Sequence, residues 1–143
     1  MQNTEIIILA AGKGTRMASD LPKCLVEVKE QPMIHRLLSN FENKFINKPI
    51  LVVGHKAEQV KDYLKDRVRY VHQHEQKGTG HATLIALKEV LPSTKYVVIL
   101  YADHPFVSAD TIEKLVSNLL TNTASIATTH VPDFDGYRKL FTN

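Results

Sequence analysis

Cysteine is nearly absent from this chain of 143 residues, and tryptophan is missing altogether. The single cysteine, Cys24, excludes an intramolecular disulfide and fits a reducing compartment. It adjoins Lys23, and we predict a strand residue there and not a nucleophile, because no motif around it supports catalysis. The N-terminus lacks a basic segment followed by a long apolar core, so we predict no signal peptide. No apolar run approaches the length of a membrane span, and we expect a cytoplasmic protein without a membrane partner.

A strong charge of either sign is also lacking. Lysine and arginine total 18 against 15 aspartate and glutamate residues, which gives a formal net charge of +3 and a pI of about 9.0. The basic residues are scattered and not interleaved with aromatic side chains, so we expect no nucleic-acid partner, although an anionic substrate is compatible. Hydrophobic residues make up 43% and charged residues 23%, which is ordinary for a globular protein, and residues 1–143 are predicted to form one domain.

The most informative stretch is residues 5–23, with the sequence EIIILAAGKGTRMASDLPK. Its apolar run at 6–9 is typical of a strand buried on both faces of a parallel sheet. Gly12 and Gly14 end that strand, and glycines allow backbone N–H groups to approach phosphate oxygens closely. Arg16 and Lys23 add two positive charges, one as a bidentate fork and one as a point charge. The stretch therefore predicts a binding site for a triphosphate.

Two common phosphate-binding motifs do not match this stretch. Lys13 lacks the spacing of a P-loop lysine. Met17 stands where a dinucleotide fingerprint has its third glycine, and the second predicted strand ends in Gly54 and His55 instead of an acidic residue. For the glycine pair taken alone, a plain strand-to-helix turn remains the structural alternative.

Strands and helices alternate along the chain, which predicts an α/β fold of the Rossmann-like, doubly wound type with a mainly parallel sheet and helices on both faces. A brief extended piece is predicted at 25–28, and Pro32 suits the first turn of a helix. The helix capped by Ser108 is predicted to bury a stripe that ends at Leu120, and Tyr63 is predicted to face inward. The predicted strands are 6–9, 50–53, 68–72, 96–101 and 124–131, and the predicted helices are 33–45, 57–64, 82–91 and the segment after Ser108.

Three polar segments follow predicted strands, and ligands of such sheets bind beyond the carboxyl ends of the strands. The first is the glycine turn. The second is the loop QHEQKGTGHA, in which the amides of Gln73 and Gln76 offer the donor and acceptor that a pyrimidine edge requires, and Gly78 allows a base to approach the backbone. A polar connecting loop without ligand contacts is the alternative. We expect the segments to meet at one edge of the sheet.

The third segment is YADHP, with Asp103 directly after the fourth strand. A lone carboxylate there suits Mg²⁺, which commonly takes one or two carboxylates together with substrate phosphates and waters. A turn or cap aspartate before Pro105 is the alternative. The histidines His72, His74 and His104 show no ligand set with zinc spacing, and we do not predict a metal site for them.

Five blocks carry a resemblance to a known family: LAAGKGTRM, PK, VVGH, EQKGTGHA and LYADHP, spread between about residues 6 and 137. In this order they resemble the uridylyltransferase domain of the bacterial bifunctional N-acetylglucosamine-1-phosphate uridylyltransferases, a family of sugar nucleotidyltransferases. The resemblance implies a Mg²⁺-dependent reaction of UTP with a sugar 1-phosphate, N-acetylglucosamine 1-phosphate, that gives UDP-N-acetylglucosamine, a cell wall precursor, and pyrophosphate. Catalytic roles fall on Arg16 and Lys23, and the metal on Asp103. Nucleotide contacts fall on Leu9, Ala10, Ala11, Gly12, Gly14, Gln73, Gln76, Gly78, Thr79, Tyr101, Ala102 and Asp103.

The chain departs from the family pattern in three places. Ala102 replaces a usual glycine, and the usual GYGR of the sugar-side loop reads GYRK from Gly136 onward. The chain also stops at Asn143, before further sugar-pocket residues of the family, so we expect mainly the nucleotide-binding part of the domain. Two alternatives therefore stand beside the sugar nucleotidyltransferase: a catalytically silent nucleotide-binding module, and a transferase for another acceptor such as phosphocholine or a pterin cofactor. A homo-oligomer is left open.

Overall fold

The computed structural model describes residues 3–14 and 19–129, and its centre is a four-stranded parallel sheet. The strands are β1 (Thr4–Leu9), β2 (Glu27–Val28), β3 (Gln31–Pro32), β4 (Ile50–Val53), β5 (Arg69–His72) and β6 (Tyr96–Tyr101). The order in the sheet is β5-β4-β1-β6, and Ile7 of the inner strand β1 pairs with Ile50 on one side and Ile99 on the other. A small antiparallel hairpin of β2 and β3 lies apart from this sheet.

Helices pack on both faces of the sheet, because alternate residues of each strand point to opposite sides. The helices are α1 (Met33–Ser39), α2 (Ala57–Leu64), α3 (Thr79–Leu87) and α4 (Ala109–Asn118), with a short 3-10 turn at Lys23–Leu25. The face carrying Ile6 and Ile8 packs against residues of α1, α2 and α4, including Leu37, Leu64 and Ile112. The opposite face, which carries Ile7 and Leu9, packs against Ala82 and Ala86 of α3. The predicted parallel α/β fold is confirmed.

Several predicted element boundaries are wrong. The helix predicted at 82–91 begins at Thr79, because Gly78, with φ +94°, already turns the chain into the helix, and it ends at Leu87. The first helix, predicted at 33–45, ends at Ser39, although Phe41 beyond that end is still buried. Pro32 is the cap residue before that helix instead of a member of its first turn.

Further predictions about single residues and short segments also need correction. Cys24 lies in the 3-10 turn and not in a strand. Of the extended piece predicted at 25–28, Leu25 belongs to that turn, while Val26 is extended and Glu27–Val28 form a short strand. Tyr63 and Leu120 are exposed, with relative accessibilities of 43% and 73%, and Leu120 lies past the end of α4. Residues 124–129 form no strand, and the rest of the predicted strand 124–131 lies outside the described residues.

Among the helices of the described residues, none combines the length and hydrophobicity that a membrane span requires.

Candidate nucleotide-binding site

A cavity of about 440 Å³ opens where β1, β5 and β6 end. The glycine turn after β1, the glutamine loop after β5 and the aspartate segment after β6 all line it, as expected for the carboxyl edge of a parallel sheet. Of the predicted site residues, Arg16 lies outside the described residues, and the other thirteen line this one cavity. They are Leu9, Ala10, Ala11, Gly12, Gly14, Lys23, Gln73, Gln76, Gly78, Thr79, Tyr101, Ala102 and Asp103, joined by Cys24 and Ala82.

The glycine turn is open at one glycine and closely packed at the other. A Cβ added at Gly12 would meet nothing within 4 Å, so its backbone is free to approach a ligand. Gly14 has a φ of +61°, and a Cβ there would lie 3.0 Å from Cβ of Lys23. The turn is therefore packed directly against the stem of the lysine that is predicted to contact phosphate.

The glutamine loop is fastened to the glycine turn by a side-chain hydrogen bond. Nε2 of Gln76 donates to the carbonyl oxygen of Ala11 at 2.9 Å. Gln73 is buried; its Nε2 donates to the carbonyl oxygen of Gly78 at 3.1 Å and lies 3.1 Å from Nδ1 of His81. Both amide nitrogens therefore hold the loop in shape in this structure, while their predicted contacts with a base remain predictions.

Lys23 and Asp103, which both line the cavity, form an ion pair. Nζ of Lys23 donates to Oδ2 of Asp103 at 2.5 Å, and the two side chains are 42% and 31% exposed. Burial alone would raise the pKa of Asp103, but the hydrogen bond and charge of Lys23, with a contribution from His104, leave that pKa below its ordinary value. The site thus presents an ionised carboxylate and an ammonium group side by side.

Asn40, at the end of α1, holds the segment that follows Asp103. Its Nδ2 donates to the carbonyl oxygens of Pro105 and Val107, both at 2.9 Å. The guanidinium of Arg36 lies 5.9 Å from the centre of the Phe106 ring between them. Asn40 was not predicted from the sequence, because no local motif indicates a side chain that acts on a loop 65 residues away.

Gly54, directly after the neighbouring strand β4, packs against the glycine turn. A Cβ at this position would lie 2.9 Å from both Cβ and the carbonyl oxygen of Ala11. That same oxygen accepts the hydrogen bond from Gln76. The glycine of the VVGH block was noted in the sequence, but its contact with Ala11 joins two strands and could not be read from spacing.

We expect Gly54→Ala to destabilise the domain by about 1–3 kcal/mol, because the added methyl group overpacks a backbone contact. Urea unfolding followed by circular dichroism measures the change. Gly80→Ala is the matched control: Gly80 lies in α3, and an added methyl group there would meet nothing within 4 Å, so alanine should be neutral or stabilise the helix by up to ~1 kcal/mol. Equal effects of the two substitutions would contradict the packing role of Gly54.

The remaining reactive groups at the cavity are not arranged for covalent chemistry. Burial raises the pKa of the Cys24 thiol to about 11 and outweighs a backbone hydrogen bond that lowers it, so the thiol is neutral at pH 7. In the part of the chain that the structure describes, no group of three or more His, Cys, Asp or Glu residues could hold a metal ion. A cation at Asp103 would therefore need further oxygen ligands, which nucleotide phosphates supply.

A family model described as the MobA-like NTP transferase domain matches residues 6–139. The chain belongs to this family. As a MobA-like NTP transferase domain it is a nucleotidyltransferase, which confirms the enzyme class predicted from the sequence.

Curated relatives support the predicted resemblance to a bacterial bifunctional enzyme. This NTP transferase domain is 42% identical over 145 residues to the bifunctional protein GlmU of Latilactobacillus sakei, covering 100% of the chain and 31% of that protein. It is 38% identical over 142 residues to the bifunctional protein GlmU of Thermoanaerobacter pseudethanolicus, covering 98% of the chain and 31% of that protein. The chain thus spans slightly less than a third of these relatives.

Solved structures share the fold of this NTP transferase domain. One is 4-diphosphocytidyl-2C-methyl-D-erythritol synthase from Anaerococcus prevotii, with 27% identity and a TM-score of 0.67 over 83% of this chain and 51% of that chain. Another is a Mycobacterium tuberculosis protein in complex with manganese, with 22% identity and a TM-score of 0.66 over 80% of this chain and 58% of that chain. At 22% identity the second likeness shows the fold alone.

Proposed function

We propose that this domain transfers a uridylyl group from UTP to N-acetylglucosamine 1-phosphate, with Mg²⁺ as cofactor and pyrophosphate as the second product. The observation that carries the proposal is the gathering of the glycine turn, the glutamine loop and the Lys23–Asp103 pair around one cavity. The GlmU relatives at up to 42% identity support it as well. We further propose that residues 1–143 are one domain with the nucleotide-binding part of the enzyme, acting in the cytoplasm; a homo-oligomer stays a prediction.

The chain's own groups suit this reaction by position and charge. The backbone at Gly12 is open to phosphate oxygens, and Lys23, which lines the same cavity, is proposed to neutralise charge that develops on the reacting phosphates. A phosphate oxygen of the acceptor is already ionised at neutral pH and attacks the α-phosphorus in line, so no general base and no covalent intermediate are required. Arg16, which lies outside the described residues, is proposed to hold the triphosphate.

The carboxylate of Asp103 fits a magnesium ion by the chemistry of its donor. It is an ionised oxygen ligand, partly exposed to the cavity; Nε2 of His104 lies 3.8 Å from its Oδ1, but among the described residues no group of three or more His, Cys, Asp or Glu side chains forms a transition-metal site there. A bound Mg²⁺ would supply charge stabilisation for the phosphates of the nucleotide. Asp103 would bind the ion, while Lys23 would neutralise charge on the phosphates.

Another phosphorylated acceptor is the second candidate. It is favoured by the likeness to a solved structure that is named as a synthase of a diphosphocytidyl compound, at 27% identity. The predicted sugar-side residues Gly136, Tyr137 and Arg138 lie outside the described residues.

Thermal shifts with UTP, CTP, GTP and ATP, each with MgCl₂, test the base, and a pyrophosphate assay tests the acceptor. We expect UTP to stabilise the domain most, by about 2.7 kcal/mol at a concentration one hundred times its Kd. Pyrophosphate should then appear with N-acetylglucosamine 1-phosphate. Stabilisation by CTP above UTP, with pyrophosphate released when phosphocholine is the acceptor, would support the second candidate. Binding of UTP without pyrophosphate release with any acceptor would indicate a silent module, and no stabilisation by any nucleotide would contradict nucleotide binding.

A further inference from the structure

Two side chains that the proposed function assigns to different ligands are bound to each other in this structure. Lys23 is assigned to the nucleotide phosphates and Asp103 to the divalent cation, yet Nζ of Lys23 lies 2.5 Å from Oδ2 of Asp103. We infer that this ion pair is a ligand-exchange latch: the Lys23 ammonium blocks the cation site on Asp103 until a nucleoside triphosphate draws the ammonium away. The inference rests on the proposed function and adds a coupling between its two ligands.

The Lys23 ammonium and a divalent cation cannot both bind strongly to the same oxygen of Asp103. A magnesium ion binds oxygen at about 2.0–2.1 Å, so an ammonium hydrogen-bonded to that oxygen would lie close to the ion with charge of the same sign. Like charges at such separations repel strongly in a partly buried site. The ammonium contacts Oδ2 only, but a cation on Oδ1 of the same carboxylate would still lie within a few ångström of it and share the one negative charge, so Asp103 binds the divalent cation well only when the ammonium has moved.

The exchange requires movement of the lysine side chain and not of the backbone. The stem of Lys23 is packed against Gly14, where a Cβ would lie 3.0 Å away, and the residue lies in the 3-10 turn Lys23–Leu25. On the other side, Asn40 holds the segment after Asp103 through the carbonyls of Pro105 and Val107. Lys23 is 42% exposed, so its terminal atoms have room to turn from Asp103 into the cavity.

A coupling between ligands follows from this arrangement. Triphosphate oxygens offer the ammonium a new anionic partner, and the carboxylate it leaves becomes free for the cation. Each ligand therefore improves the binding of the other, and the coupling is reciprocal by thermodynamic linkage. A divalent cation alone must displace the lysine without that compensation and should bind weakly.

Manganese binding to the full 143-residue chain tests the latch. Free Mn²⁺ is measured by electron paramagnetic resonance during titration, without and with UTP. We expect Lys23→Met to bind Mn²⁺ alone about fivefold more tightly than the unmodified chain, since the competing ammonium is gone. In the same variant UTP should raise Mn²⁺ affinity by a smaller factor than in the unmodified chain, because Asp103 is already free of the lysine and only the phosphate ligands remain to be gained; a titration of UTP without protein corrects for the Mn²⁺ bound by free nucleotide. Asp103→Asn in the Lys23→Met background should abolish the gain, which assigns it to Asp103.

Lys77→Met is the matched control. Lys77 lies in the glutamine loop and forms its own ion pair with Glu75, but both side chains are about two-thirds exposed and neither lines the cavity. Its removal should leave Mn²⁺ affinity unchanged. An equal or weaker Mn²⁺ affinity of Lys23→Met, or an equal gain in Lys77→Met, would overturn the latch. Lys23→Gln, which keeps a hydrogen-bond donor but no charge, provides a second variant if circular dichroism shows that Lys23→Met is unfolded.

The latch and the proposed function fail in different ways. If UTP with MgCl₂ stabilises the unmodified chain while Lys23→Met gains no affinity for Mn²⁺, the function stands and the latch is wrong. If Lys23→Met gains affinity for Mn²⁺ but no nucleotide binds the unmodified chain, the lysine does compete with the cation for Asp103. Release of the lysine by a nucleotide would then be wrong, and so would the proposed function.

Discussion

Replacing Asp103 by asparagine is expected to lower the rate of pyrophosphate release at saturating UTP and MgCl₂ by about 10²–10³-fold, the size of effect seen when one charge-stabilising group is lost. Asparagine keeps the shape and one oxygen of the side chain but removes the negative charge that a divalent cation needs. It also leaves Lys23 without its ion-pair partner. Initial rates with N-acetylglucosamine 1-phosphate as acceptor, measured over a series of MgCl₂ concentrations, give the change in rate and in metal dependence.

Asp110→Asn is the control for the loss of a carboxylate elsewhere in the domain. Asp110 is exposed in the first turn of α4 and does not line the cavity, so its replacement should affect helix stability by a few tenths of a kcal/mol and leave the rate unchanged. An Asp103→Asn domain that keeps its rate and its dependence on MgCl₂ would show that the cation is not held at Asp103. The same comparison applied to Mg²⁺-dependent UTP binding covers the case of a domain that binds without turnover.

The sheet was predictable because its strands are apolar runs. Strand β1 was predicted at 6–9 and spans Thr4–Leu9, and strands β4 and β6 were predicted at the bounds that the structure shows. Elements whose ends depend on backbone conformation or on tertiary support were predicted less well. Helix α3 starts early because Gly78 has a positive φ, and residues 124–129 carry an apolar, β-branched pattern but have no strand pairing.

The cavity was predictable to the extent that its residues follow strands. The carboxyl ends of parallel strands meet at one edge, so the positions of Gly12, Gln73 and Asp103 in the chain predicted their meeting. The contacts between those segments were not predictable, since they depend on distances across the fold. Examples are the hydrogen bond from Gln76 to Ala11 and the ion pair of Lys23 with a carboxylate 80 residues away.

A second large effect is expected away from the cavity, at a buried carboxylate in the central strand. The side chain of Glu5 is 1% exposed, and its oxygens accept hydrogen bonds from the Arg69 guanidinium at 2.8 Å, from Nδ2 of Asn47 at 3.3 Å and from the backbone N–H of Leu91 at 3.3 Å. Arg69 reaches Glu5 from β5, across β4, and also donates to the carbonyl oxygen of Glu89 at 3.0 Å. The arginine therefore supplies the positive charge for a carboxylate that has almost no contact with water.

Arg69→Met is expected to lower the free energy of unfolding by about 3–5 kcal/mol, because it leaves a buried negative charge without its partner. Urea unfolding followed by circular dichroism gives this free energy. Lys48→Met is the matched control: Lys48 also pairs with a carboxylate, that of Asp66, but the Asp66 side chain is 92% exposed, so the loss should stay below about 1 kcal/mol. Adding Glu5→Gln to Arg69→Met should restore part of the stability, because the neutral amide no longer needs a cation. Equal losses for Arg69→Met and Lys48→Met, or no recovery in the double variant, would mean that the charge of Glu5 does not require Arg69.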